Sequence, residues 1–167
     1  MRVVEAVPAG AAVLSGLAEV VDLRSAGPGV VSSAGVGWTD VYSAAAVLEG
    51  PAHIGRTVGP SAAEPVAAME RHDMTREVVV GTDGPLVLPL CSGAVARPTA
   101  EAVVAVVIEP GQCLSLHPGT WHAPAMGLDG PCTYLWLAGV DEHASSGWVA
   151  VDGGPVILDS SRVARRG

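Results

Sequence analysis

From residue 53 onward the chain never runs far without a turn. Gly59-Pro60, Thr82-Asp83-Gly84-Pro85, Glu109-Pro110-Gly111, His117-Pro118-Gly119, Asp129-Gly130-Pro131 and Asp152-Gly153-Gly154-Pro155 interrupt it at close spacing. Proline has no N–H to give to a helix or ladder, and glycine opens backbone angles that other residues avoid, so each pair ends an element. The stretches between them are short and rich in Val, Leu and Ile: residues 53–58, 66–70, 77–80, 86–91, 102–108, 113–116, 132–137 and 148–151. Short apolar segments bounded by turn chemistry predict an all-β domain, a sandwich or a barrel. Before them, residues 9–20 are rich in Ala and Leu and read as one short helix weakened by Gly16. Residues 40–48 have the apolarity of a strand, with an alanine content that leaves the state open.

The composition fits a packed globule. Of 167 residues, 49% are hydrophobic and 16% charged, so residues 1–167 are expected to form one domain with a real core. The formal net charge is -8 and Lys is absent, so no basic stripe is available to displace counterions from nucleic acid or to meet an anionic membrane. Arg162, Arg165 and Arg166 form a basic tail that reads as a solvated end. Cys91, Cys113 and Cys132 are odd in number and contain no C-x-x-C pair, which argues against a disulfide framework or zinc ribbon and for reduced, buried thiols in a cytoplasmic protein. Residues 1–8 lack the pattern of a signal peptide, and the apolar run 102–108 is too short to span a bilayer.

Polar chemistry gathers in two segments. In the first, Glu70-Arg71-His72 is followed by Glu77; on an extended strand Glu70 and His72 share a face. The second runs from Gly111 through His117-Pro118-Gly119 to Trp121-His122 and Pro124. Two imidazoles and two carboxylates suit a divalent transition metal such as Zn, Ni, Mn or Fe. The alternatives are a polar network that closes one end of the domain and, for Glu77, a solvated strand start. His117 precedes a Pro-Gly turn and reads equally as turn residue or acid–base group. Arg71 would project to the face opposite Glu70 and His72, as a surface charge or a substrate contact. Arg56 is suited to a two-pronged grip on a carboxylate. Trp121 and Trp136 read as core residues, His53 as structural, and Asp141-Glu142-His143 as a solvated loop.

These segments resemble the cupin superfamily, whose motifs have the forms H-x-H-x(3,4)-E and G-x5-P-x-G-x2-H. Here the first reads Glu70-x-His72-x4-Glu77, with Glu at the first His, and the second reads Gly111-x5-His117-x-Gly119-x2-His122, with His117 at the Pro. The resemblance implies a single cupin jelly-roll β-barrel with one or two short helices, a motif core over about residues 52–141, and metal positions at Glu70, His72, Glu77 and His122. Within the superfamily the chain is most similar to the ureidoglycolate lyase family, through Glu70-Arg71-His72 after Pro65, Trp121-His122 with Pro124, the preceding His117, and Arg56 before a Pro-containing loop. It departs from that family at Ala123, Leu116, Pro118 and Glu77, where a second His, a Tyr, a basic residue and an amide are usual.

The resemblance implies an enzyme that cleaves ureidoglycolate, or a related small hydroxy or keto acid, to a glyoxylate-type product. His122, His72 and His117 are the expected acid–base groups, and Arg56, Arg71 and Trp121 the expected substrate contacts, with or without a metal. The departures favour a different metal-dependent cupin enzyme, such as an isomerase, cyclase or oxygenase, and a non-catalytic binding cupin is a further alternative. A small-molecule substrate and a homodimer are expected as partners, with no role for nucleic acid or membrane.

Overall fold

The computed structural model describes residues 1–140 and 147–161. The strands are β1 (Arg2–Pro8), β2 (Ala18–Asp22), β3 (Val30–Gly35), β4 (Trp38–Ser43), β5 (Ala52–Gly59), β6 (Ala68–Met69), β7 (Glu77–Gly81), β8 (Leu86–Cys91), β9 (Val104–Ile108), β10 (Gln112–Leu116), β11 (Trp121–His122), β12 (Met126–Gly127), β13 (Cys132–Gly139), β14 (Val149–Ala150) and β15 (Val156–Asp159). One α-helical turn, Ala11–Leu14, and a 3-10 turn, Ala100–Ala102, are the helical segments among the described residues. The expected all-β architecture is therefore what the chain adopts, and no described helix is long and apolar enough to cross a membrane.

Two sheets carry the fold. The first has the order β11-β8-β9-β1-β15, with β12 also paired to β8; the second has the order β2-β10-β7-β13-β5. They pack face to face as a sandwich, and among the described residues no continuous ladder closes them into a barrel. Alternation explains the packing. Leu86, Leu88 and Leu90 of β8 and Val106 and Ile108 of β9 meet Leu114 and Leu116 of β10, Val79 of β7 and Tyr134 of β13. The odd-numbered residues of β8 and β9 point the other way, into a second core: Val87, Cys91, Ala105 and Val107 pack with Val4, Val156, Met69 and Trp121. All six residues of β8 are consequently buried, and each large side chain placed there contributes about 1.5–3 kcal/mol.

Pro89 sits inside β8, where a missing donor would normally break the ladder. Its carbonyl accepts from Ala123 N at 3.3 Å, on the edge where β11 and β12 leave a gap. The nitrogen of a strand residue shares the edge of its own carbonyl, so the absent N–H falls at that gap. The same gap carries Pro124 to the wall of the cavity described below.

Several local expectations are corrected. Residues 9–20 are not one helix: the helix stops at Leu14, Gly16 takes a φ of 74°, and Ala18 onward pairs with β10. Leu14 and Leu17 are instead tucked against the inter-sheet core. The open reading of residues 40–48 resolves into β4, which ends at Ser43 and forms a hairpin with β3. Of residues 66–70, only Ala68–Met69 is strand; Val66 and Glu70 make single bridges to Val156 and His122. β1 and β15, near the two ends of the chain, lie side by side in parallel.

Candidate metal centre and cavity

The backbone joins the two polar segments directly. Glu70 N donates to His122 O at 2.9 Å and His122 N to Glu70 O at 2.8 Å, while Gly119 N donates to His72 O at 2.7 Å. Gly119 has a φ of 80°, a conformation that costs a residue with a side chain of order 1–3 kcal/mol, so the glycine aims its N–H at His72 without strain.

Alternation then sorts the side chains. Trp121 and His122 are consecutive in β11. Trp121, 2% exposed, enters the second core and its Nε1 donates to Val95 O at 3.1 Å. His122 therefore points to the opposite, inter-sheet side. From the other sheet Glu77, two residues before the inward Val79, projects toward it at the centre of the sheet, between Leu116 and Ala138.

Glu77 Oε2 lies 3.0 Å from His72 Nε2 and 3.4 Å from His122 Nε2, and the two imidazoles face each other with centroids 5.4 Å apart. His122 is 5% exposed. Its Nδ1 is 3.1 Å from Thr120 O, a carbonyl that only accepts, so Nδ1 donates to it and Nε2 is turned toward the cluster. Nε2 is a buried ring nitrogen that makes no close hydrogen bond, its nearest charged neighbour being Glu77 Oε2 at 3.4 Å. Burial pushes the Glu77 carboxyl up, but His122 and His72 more than offset it and hold it down to about 2. Burial pushes His122 down; the Glu77 carboxylate, with help from Thr120 O and Glu70, overcomes this and raises it.

Glu70, His72 and His122 each offer a ligand atom, and these atoms lie within 4.8 Å of one another, so this group could hold a metal ion. The residues fit such an ion on two counts. The donors are imidazole nitrogen and carboxylate oxygen, the set used for Zn, Mn, Fe and Ni. The buried, unpartnered His122 Nε2, with its other nitrogen tied to a backbone carbonyl, is also the arrangement of a metal-ligating histidine.

The cluster borders a cavity of about 370 Å³. His53 and Thr57 from β5 and Tyr134, Trp136 and Ala138 from β13 share the inward face of the second sheet and line it. Pro124 and Trp148 line it as well. Trp136 lies over its cross-strand partner Gly55, where any Cβ would overlap the indole, and its Nε1 donates to Thr57 Oγ1 at 3.1 Å. Burial raises the Tyr134 phenol, opposed in part by its contact with Thr57.

Of the expected site residues, the structure brings Glu70, His72, Glu77 and His122 together and leaves the others outside the cavity. Arg56 is exposed on the outer face of β5, because Gly55 and Thr57 on either side of it differ from it by one residue in a period of two. Arg71 pairs with Asp73 at 2.8 Å and lies 4.6 Å from the Trp121 ring, and Trp121 is a core residue. His117 Nε2 is 3.4 Å from Glu19 in a surface group that includes Arg76. The three cysteines carry no disulfide, and burial pushes their thiols up. Asp141-Glu142-His143 and the basic tail Arg162, Arg165 and Arg166 lie outside the described residues. Trp136, Trp148, Tyr134, Thr57 and His53 were not among the expected site residues; the spacing Tyr134-x-Trp136, which puts both rings on one strand face, is the sequence signal that could have found two of them. No protein-family model and no curated protein matches this chain.

Proposed function

We propose that this chain is a metal-dependent enzyme of the cupin type, acting on a small organic molecule bound between its sheets. The observation that carries this reading is the buried, unpartnered His122 Nε2, held toward Glu70, His72 and Glu77 beside a cavity. Glu70, His72 and His122 would hold the ion, and Glu77, touching both imidazoles, would complete the set or receive a proton from substrate. A bound divalent ion supplies Lewis-acid polarisation of a substrate oxygen. The chain's part is to fix the ligands: the Thr120 carbonyl orients the imidazole of His122, and the Glu70–His122 backbone pair sets the distance between the segments. Elemental analysis of protein purified without a polyhistidine tag tests the reading. A transition metal at near-stoichiometric level, lost in His122→Ala, supports it; none in either protein opposes it.

A second reading is cleavage of (S)-ureidoglycolate to glyoxylate and urea, favoured by the placement of both His72 and His122 on the cavity. One imidazole would take the hydroxyl proton as the carbon–nitrogen bond breaks, and the other would protonate the departing urea nitrogen. The outward position of Arg56 leaves this reading without its expected carboxylate clamp. Glyoxylate release from ureidoglycolate by the purified protein tests it directly. The homodimer expected of a cupin belongs to the same proposal, and sedimentation equilibrium is its check.

A further inference from the structure

The described residues give the cavity no guanidinium wall. Among the described residues no arginine lines it, and the chain contains no lysine. Arg56 faces outward, Arg71 is engaged with Asp73 and the Trp121 ring, and Arg76 is engaged with Glu19 and the buried Ser115 hydroxyl. Beside the imidazoles of His53, His72 and His122, the charged groups lining it are two carboxylates, Glu70 and Glu77. Together they neutralise the charge of a divalent ion, so a loaded site offers an incoming anion no net attraction, while a carboxylate entering it still loses its hydration.

What the cavity does offer is ring surface. Trp136 is pinned over Gly55 with its N–H engaged by Thr57, so it presents carbon to a ligand and not a donor. Trp148 is 55% exposed yet lines the same cavity, and Tyr134 and Pro124 add further apolar wall. Flat rings gain from such surfaces both through buried area and through ring–ring geometry. A cavity of about 370 Å³ accommodates a small ring compound.

We infer that the substrate is an uncharged, planar ring compound that is held by Trp136 and Trp148 and presents an oxygen to the Glu70–His72–His122 group, and not a small carboxylic acid. The inference rests on the metal-enzyme reading above and narrows its substrate class. It also separates that reading from the lyase alternative, whose substrate is a carboxylate.

Benzamide and benzoate test it, because the two share a shape and differ in charge. Each is titrated into the full-length protein, as isolated and after zinc loading, by tryptophan fluorescence and calorimetry, with acetamide as the ring-free control and zinc content measured on the same samples. Benzamide is expected to bind about tenfold more tightly than benzoate, reflecting the uncompensated charge, and more tightly than acetamide. Trp148→Ala should weaken benzamide roughly 2- to 10-fold, the range of one ring–ring contact, and leave zinc content unchanged. Benzoate binding as tightly as benzamide, no saturable benzamide binding, or indifference to Trp148→Ala overturns the inference. Failure of the protein to take up zinc overturns the metal reading instead, so the two failures are distinguishable.

Discussion

Glu70 and His122 exchange a reciprocal pair of backbone hydrogen bonds, 2.9 Å and 2.8 Å long, across 52 residues of sequence (122 − 70). This single antiparallel bridge converts two distant polar segments into one site. It places one residue of each segment opposite the other and lets alternation do the rest: Trp121 goes to the core and His122 to the cavity. Glu77 then reaches the same point from the other sheet.

Glu77→Gln keeps the shape of the side chain and removes its charge. In the metal-free protein the His122 ring would lose the carboxylate that raises it and keep the burial that lowers it. Its titration, followed by NMR of the imidazole protons, should fall below its wild-type value. Unchanged titration would mean that the contact between Glu77 and His122 is not the source of the shift.

The same pair gives the metal-free protein a defined pH dependence. Glu77 is lowered from 4.5 to about 2 on folding, so its contribution to stability is present above 4.5 and fades as pH falls toward 2. His122 is raised from 6.5, so its contribution is present below 6.5 and is lost as pH climbs through the raised value. Both are in force between pH 4.5 and 6.5. Urea unfolding of chelator-treated protein should show its highest midpoint in that window, and Glu77→Gln should flatten the profile. Added metal should move the optimum to higher pH, because protons compete with it for the same ligands.

Gly55→Ala should dislodge the Trp136 indole, since a Cβ at position 55 occupies the space of the ring. Overpacking of this kind costs about 1–3 kcal/mol. A lower urea midpoint and a shifted tryptophan emission are expected, with benzamide binding reduced. Retention of wild-type emission and stability would show that Trp136 does not need the close approach.

Much of the architecture was legible because it is local. The Gly-Pro turns and the short apolar runs that become β5, β7, β8, β10 and β13 are written in neighbouring residues, and Glu70, His72, Glu77 and His122 stand in two compact segments. What escaped depends on partners far along the chain. β1 and β15 were not among the expected strands, and they are held as strands by lying side by side and parallel in one sheet. The helix expected over residues 9–20 yielded to the inter-sheet core, which claims Leu14 and Leu17 and draws Val20 into a ladder with Leu114. Arg56 matched a sequence pattern, yet the register of β5 against β13, fixed by Trp136 over Gly55, turns it outward. Trp136 and Trp148 read as core residues or passed unnoticed because a cavity wall and a core share the same composition.

Cobalt titration of metal-free protein tests the central claim most directly, that Glu70, His72 and His122 form a metal centre. Cobalt(II) bound by nitrogen and oxygen donors gives visible d–d bands, and thiolate ligands would add strong near-ultraviolet charge-transfer absorption. The wild-type protein should show d–d bands that saturate at about one equivalent without charge-transfer absorption, as expected for a single site of imidazole and carboxylate ligands. His122→Ala, with its circular dichroism unchanged, should lose more than the roughly 10–100-fold in affinity that removal of an outer-shell partner costs. Absence of saturable bands in the wild type, or bands that persist unaltered in His122→Ala, would contradict the account.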